Sequence, residues 1–263
     1  MYKCDNQVED IINAAKTSIF LIDDNQMVRP SDIGTVEAIK KAAEDLRIQT
    51  NEIELTAQFR CSGVDGYINW LDNTLHIEHT ANYDGWENSD FDFKIFNDPN
   101  ILRSEINKKN DQGNSARILA GYAWQWTSAK EGNQDGEIED IEIPDFNFRM
   151  PWNSRKVGTT WAVDASGINQ IGCIHTSQGL EFDYVGVIVG DDLHFDFESM
   201  SYSTSYNEYK DSEGKKGLRQ DPERLNELVR NIYKVLMTRG MKGCYVYFTN
   251  KQVEQYFHER IRI

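Results

Sequence analysis

The sequence predicts an α/β fold in which helices cover both faces of a parallel sheet. Three observations carry that expectation. Short apolar runs such as residues 18–22 (SIFLI) and 184–189 (YVGVIV) are unbroken, the pattern of strands buried on both faces. Segments with helical spacing alternate with them, such as the one bearing Val64, Tyr67, Ile68, Leu71 and Leu75. Polar turns separate the two kinds of segment, as βα units require.

The elements follow in order. Residues 8–16 read as the end of an amphipathic helix, and 18–22 as a buried strand stopped by Asp23-Asp24-Asn25-Gln26. Ser31 or Asp32 is placed to cap a helix over 36–46 through its side-chain oxygen. A second short strand covers 53–55, and the helix bearing Val64 to Leu75 follows. Residues 93–96 read as a strand, 100–109 as a helix and 116–124 as another strand. The acidic stretch 131–143 reads as a hairpin or loop excursion, and 161–163 as a short strand. Residues 172–175 and 184–189 flank the turn His-Thr-Ser-Gln-Gly-Leu-Glu. The Tyr- and Ser-rich stretch 199–221 reads as a mobile polar insertion. Pro222, suited to a first helical turn, opens a helix to 236. Residues 244–248 make the last strand and 252–260 the last helix.

With 263 residues, of which 39% are hydrophobic, the chain can bury a sizeable core. Its 43 acidic and 28 basic residues give a net charge of −15, which argues against a surface coated for non-specific nucleic-acid binding but leaves room for a local basic groove. The four cysteines form no C-x-x-C pair and lie in or beside apolar segments, so they read as structural thiols of a reducing compartment. No apolar run approaches the ~20 residues that span a bilayer. The polar, acidic start at 1–13 does not read as a signal peptide, so the expected location is cytoplasmic.

Four clusters distant in sequence carry groups suited to phosphate or polar ligands. They are Asp23-x-x-Gln26, Gln58-Phe59-Arg60, His175 to Glu181, and Thr238-Arg239-Gly240. In a parallel sheet such groups are expected at the carboxyl ends of strands. In this order the clusters resemble the later motifs of superfamily 1 helicases. LIDDNQMVRP is similar to motif III, LTAQFRC to motif IV, IHTSQGLEFDYV to motif V and NIYKVLMTRGMKGCYVY to motif VI. The wording ARILAGYAWQW, GCIHTSQGLEFDYVGVIVG and VLMTRGMKGCYVYF more closely resembles the bacterial DUF2075 family, also described as the Schlafen group 3-like DNA/RNA helicase domain, within the P-loop NTPases.

That resemblance implies a RecA-like architecture. Residues 1–56 would be the end of a first lobe, and 57–263 a second lobe with insertions near 130–155 and 195–220. It implies nucleotide binding and hydrolysis, with ATP and Mg as cofactors and single-stranded DNA or RNA as a partner. Gln26 would sense the γ-phosphate, and Arg60 and Arg239 would reach it as arginine fingers. Glu181 and Gly179 would contact the nucleotide, and His175 and Thr176 a nucleic-acid backbone. The sequence departs from the pattern in having no G-x-x-x-x-G-K-[S/T] loop, the phosphate cradle of such enzymes. Gly214-Lys215-Lys216-Gly217 is the nearest match and lacks both the spacing and the hydroxyl residue. No D-E-x-[Q/H] motif is present either. Gln178 stands where many helicases have Lys, and Gly240 where Ala is usual. The chain therefore reads as the C-terminal part of a helicase-like or translocase ATPase, inactive without a P-loop. The alternative is a non-catalytic RecA-like module that binds protein or nucleic acid. A metal-dependent nuclease would need a spaced carboxylate–His constellation, which is missing, and no metal site is expected.

Each singled-out residue also has a structural reading. Arg239 could complement a helix dipole, His175 could be a buried, satisfied histidine, and the tryptophans could belong to the core.

Overall fold

The computed structural model describes residues 6–22, 35–53, 65–79, 86, 90–127, 138–154 and 160–261. In chain order its helices and strands are α1 (Gln7–Ala14), α2 (Val36–Asp45), α3 (Asp65–Thr74), β1 (Asp92–Ile95), α4 (Pro99–Asp111), β2 (Ala116–Ala120), β3 (Ile141–Ile143), β4 (Phe148–Met150), β5 (Ile171–Gly172), α5 (Ile174–Ser177), β6 (Phe182–Val189), β7 (His194–Asp196), β8 (Ser201–Ser203), α6 (Pro222–Met237), β9 (Gly240–Phe248) and α7 (Lys251–Ile261).

Five strands form one parallel sheet in the order β1-β9-β6-β2-β5. β6 pairs with β9 from Phe182↔Gly240 to Val189↔Phe248, and β2 lies on its other side from Ala116↔Tyr184 to Ala120↔Ile188. The central strands are the apolar runs read from the sequence. Val185, Val187, Ile188, Cys244 and Val246 are all buried. Fully burying one such aliphatic side chain contributes roughly 1.5–3 kcal/mol, so this row is a major part of what holds the sheet to its helices. Gly186 lets α4 lie close on β6, since a Cβ there would stand 2.7 Å from the Leu102 side chain and 2.9 Å from that of Ile106. The longer helices start where the chain supplies a cap. Asp98 Oδ1 accepts from Asn100 N at 2.7 Å ahead of Pro99, and Asp221 Oδ1 accepts from Arg224 N at 3.1 Å ahead of Pro222.

α1 and α2 pack on each other through Val8, Ile12, Ala42 and Ala43, with Phe20, Ile39 and Leu46 against them, a cluster separate from the main core. The cap of α2 is Thr35, whose Oγ1 accepts from Ala38 N at 3.0 Å, rather than Ser31 or Asp32. The expected lobe boundary at 56/57 lies outside the described residues.

The structure departs from the sequence-based expectation in five places. Residues 18–22 form no strand. Phe20 packs on the two helices, while Ile19 and Leu21 are 84% and 82% exposed. A parallel strand needs neighbours to take its N–H and C=O groups, and among the described residues none pairs with this segment. Of the strand expected over 53–55, Ile53 is likewise exposed and outside any strand, and residues 54–55 lie outside the described residues. Residues 161–163 form a turn, with Val163 N and Asp164 N both donating to Thr160 O. The strand expected over 116–124 ends at Ala120. Finally, residues 199–221 are a packed layer. β7 and β8 pair as a hairpin, Tyr202, Tyr209 and Leu218 are buried, and Lys210 N donates to Tyr122 O at 2.6 Å. Its interleaved aromatic and aliphatic residues find a core that composition alone does not reveal.

Candidate functional site at the amino edge of the sheet

The turn between β5 and β6 is built from its own side chains. Cys173 follows β5 and caps the single helical turn α5: its backbone N donates to Thr176 Oγ1 at 2.9 Å, and Thr176 Oγ1 donates to Cys173 O at 3.1 Å. Ser177 Oγ donates to the same carbonyl at 2.9 Å. Gln178 N closes the turn on Ile174 O. Gly179 then takes φ +79°, the left-handed region that costs a side chain with a Cβ roughly 1–2 kcal/mol. Gln178, Gly179, Leu180 and Glu181 form an exposed tip, and the chain dives into β6 at buried Phe182.

Arg239 meets this tip. It lies between the end of α6 and the start of β9 and is only 1% exposed. Its Nε donates to Val235 O at 3.0 Å and its Nη1 to Leu180 O at 3.3 Å. Its own carbonyl accepts from Phe182 N at 2.9 Å. The segments that resemble motifs V and VI are thus joined at the first rung of β6 and β9. That rung is the amino end of both strands, not the carboxyl end where ligand groups were expected. The reason is topological: the tip leads into β6 and Arg239 leads into β9.

A second network frames the tip from the β2 side. Asp183 Oδ2 accepts from Ser115 N at 2.9 Å and Ser115 Oγ at 3.1 Å, and Ser115 Oγ accepts from Asp183 N at 2.9 Å. Lys242 completes it, with Nζ 2.7 Å from Asp183 Oδ1 and 3.3 Å from Asn114 Oδ1. The lysine, helped by Ser115, holds the Asp183 carboxyl below the usual range. Sequence reasoning missed Ser115, Asp183 and Lys242. The only signal was a polar residue just before β2 and another just inside β6.

The remaining expected site residues fall elsewhere. His175 is part-buried on the other side of the turn, its Nε2 3.5 Å from Asp211 Oδ2 and its ring 5.7 Å from that of Tyr122. Thr176 spends its hydroxyl on the cap just described. Gln26 and Arg60 lie outside the described residues. Lys215, in the segment nearest to a P-loop, donates to Tyr206 O at 2.8 Å and Tyr209 O at 2.6 Å, which ties its ammonium to the insertion. At the carboxyl end of β6, buried Asp192 accepts from Tyr233 OH at 2.5 Å, and that oxygen accepts from Gly190 N at 3.0 Å. Burial pushes the Asp192 carboxyl up to about 7. Among the described residues no group of three or more His, Cys, Asp or Glu side chains is placed to hold a metal ion. Among them, too, no helix is long and apolar enough to cross a membrane.

The five-stranded parallel sheet and its flanking helices form an α/β, RecA-like arrangement. The chain matches the Schlafen group 3, DNA/RNA helicase domain over residues 1–250 and belongs to that family. It is 26% identical over 276 residues to "Uncharacterized protein YPL245W" of Saccharomyces cerevisiae (strain ATCC 204508 / S288c), a match covering 95% of this chain. The chain spans 59% of the length of that relative. No solved structure matches.

Proposed function

We propose that the chain is the nucleotide-sensing part of a helicase-like, ATP-dependent motor, acting with a P-loop-bearing lobe absent from this sequence. In this reading residues 1–56 belong to the first lobe and 57–263 form the second. The observation that carries it is the meeting of the 178–181 tip with Arg239 at one edge of the sheet, in a member of a DNA/RNA helicase domain family. Two-lobed motors place one nucleotide between lobes, so a lobe needs an exposed edge that offers a carboxylate and main chain.

The tip fits the periphery of ATP. Glu181 is an exposed carboxylate, and Gly179 leaves the main chain open, since a Cβ there would meet nothing within 4 Å. The described residues offer no phosphate cradle, so MgATP would be held by the other lobe. When bound, it supplies the phosphoryl group and the metal charge. This chain's share is to orient the nucleotide through Glu181 and Gly179, with Gln26 and Arg60 sensing the γ-phosphate and His175 and Thr176 bordering single-stranded DNA or RNA.

The test is MgATP turnover by this chain fused behind a P-loop lobe, with and without single-stranded DNA or RNA. The reading expects turnover stimulated by nucleic acid, and loss of turnover in Glu181→Gln and Arg60→Ala. A fusion that binds ATP yet shows no such dependence sinks it. The burial of Arg239 favours a second reading, a lobe that binds a partner and hydrolyses nothing. Tight nucleic-acid or protein capture with no turnover in the fusion would select it.

A further inference from the structure

We propose that the carboxyl end of β1, β9 and β6 is a docking surface for a basic peptide segment of a partner protein, one that presents several lysines or arginines. The proposal goes beyond the functional reading above, which uses the amino edge of the sheet and the end of β5. The three strands are neighbours, and each is followed by a carboxylate. Asp98 comes three residues after β1, Asp191 two after β6, and Glu254 lies in the first turn of α7, which follows β9. A fourth carboxylate, Asp145, sits in the helical turn Pro144–Phe146. Asn100 Nδ2 ties that turn to the start of α4 by donating to Phe146 O at 3.0 Å, and the Phe146 ring stands 5.8 Å from that of Tyr247, near the end of β9.

Acidic residues alone would mark only a solvated edge. Tyr247 adds a second observation. It is 2% exposed, yet its hydroxyl makes no hydrogen bond with a described residue. That hydroxyl is aimed among the four carboxylates: burial first, then Glu254, Asp145, Asp98 and Asp191, push it up to about 12. A phenol packed this deeply ordinarily finds a partner, and this one is held ready for a group that arrives at the edge. The carboxylates also have capacity to spare. Asp98 Oδ1 accepts from Asn100 N and Nδ2, and Asp191 Oδ1 from Thr249 Oγ1 at 2.6 Å, which leaves the second oxygen of each. Asp145 is exposed. Lys251 Nζ lies 5.8 Å from the centre of the Tyr247 ring, but it is 2.5 Å from Glu254 Oε2 and so offsets one of the four charges. One metal ion would need these groups drawn together, and among the described residues no three are so placed. Nucleic acid would be repelled. A peptide that spreads several cations along its backbone matches a spread of carboxylates, each contact a charge-assisted hydrogen bond. Ile101, 52% exposed in the first turn of α4, and half-buried Phe146 add apolar surface for the stems of its side chains.

Fluorescence anisotropy of a labelled peptide of alternating Lys and Gly, titrated with the 263-residue chain, tests this. Asp98→Asn, Asp145→Asn and Asp191→Asn together remove three charges and keep oxygen acceptors, the helix cap included. This edge variant should bind the peptide about tenfold or more weakly, and raising salt from about 0.05 M to about 0.3 M should weaken the wild type in the same sense. Tyr247→Phe should cost about threefold. Glu198→Gln, Glu213→Gln and Glu223→Gln remove as many charges from exposed positions elsewhere, and should change affinity by less than about twofold. Equal losses in the two combined variants would show attraction to the overall charge of −15 and overturn the proposal, as would an unchanged affinity in the edge variant. Single-stranded DNA held by the wild type and lost from the edge variant would assign the edge to nucleic acid and overturn it too.

A second measurement needs no variant to fold. Carbodiimide couples the lysines of the bound peptide to carboxylates of the wild-type chain, and mass spectrometry maps the links. Links to Asp98, Asp145, Asp191 or Glu254 are expected. Links confined to other carboxylates would overturn the proposal.

Discussion

Arg239 Nη1 donates to the main-chain oxygen of Leu180 at 3.3 Å, across 59 positions of sequence. This bond ties the end of α6 to the turn that feeds β6, and it converts two separate motifs into one edge. Its consequences, and those of the packing behind it, can be measured.

Asp192 makes stability depend on pH. Its carboxyl is raised to about 7 in the folded chain by burial, against an ordinary value near 3.8. The folded state therefore holds a proton that the unfolded state has released between those values. Stability is full below about pH 4 for this group and falls as pH rises towards 7, by on the order of 1 kcal/mol per unit. Asp192→Asn keeps an acceptor for Tyr233 and removes the titration. Urea unfolding at pH 5 and pH 8 should show the wild type losing stability relative to the variant. Parallel behaviour of the two proteins would contradict the assignment.

Gly186 is required by contact and not by backbone conformation. Adding a methyl would press on Leu102 at 2.7 Å and Ile106 at 2.9 Å. Gly186→Ala should cost about 1–3 kcal/mol through overpacking of α4 on β6. A lowered denaturation midpoint with an unchanged slope is the expected result.

The Ser115–Asp183–Lys242 network should have a modest, pH-dependent value. Asp183→Asn removes the ion pair at 2.7 Å and weakens the two hydrogen bonds from Ser115, and should cost about 1–2 kcal/mol at pH 7. Because the folded carboxyl is held below its ordinary value, this contribution is present above about pH 4 and is lost as pH falls through the folded value. The gap between wild type and variant should therefore close in acid. A gap that persists at pH 2 would show that the loss is steric.

Much of the sheet was legible because its strands announce themselves. Runs such as 184–189 have no polar interruption, the pattern of a strand covered on both faces. The helices were legible from spacing, with Tyr67, Ile68, Leu71 and Leu75 buried as expected. Residues 18–22 misled for the same reason that 184–189 did not: an apolar run states a preference for burial, and the neighbours that satisfy it come from elsewhere. The insertion misled in the opposite sense, because Tyr209 and Leu218 are buried inside a stretch that composition makes polar. For the candidate site, the expectation singled out Gly179, Glu181 and Arg239 from sequence, but not the edge to which the structure brings them. The bond from Arg239 to Leu180 runs to a main-chain oxygen, which has no side-chain signature. Ser115 and Lys242 carry no pattern that sets them apart from other surface polar residues.

Under the proposed function this chain completes a nucleotide site begun on a P-loop lobe. The most direct measurement is MgATP turnover by the chain fused behind such a lobe, comparing wild type with Glu181→Gln in the presence of single-stranded DNA or RNA. The expected result is turnover that nucleic acid stimulates and that the variant loses by about 10-fold or more, the scale of an interaction worth at least 1.4 kcal/mol in the transition state. Equal turnover in wild type and variant, indifferent to nucleic acid, would contradict it.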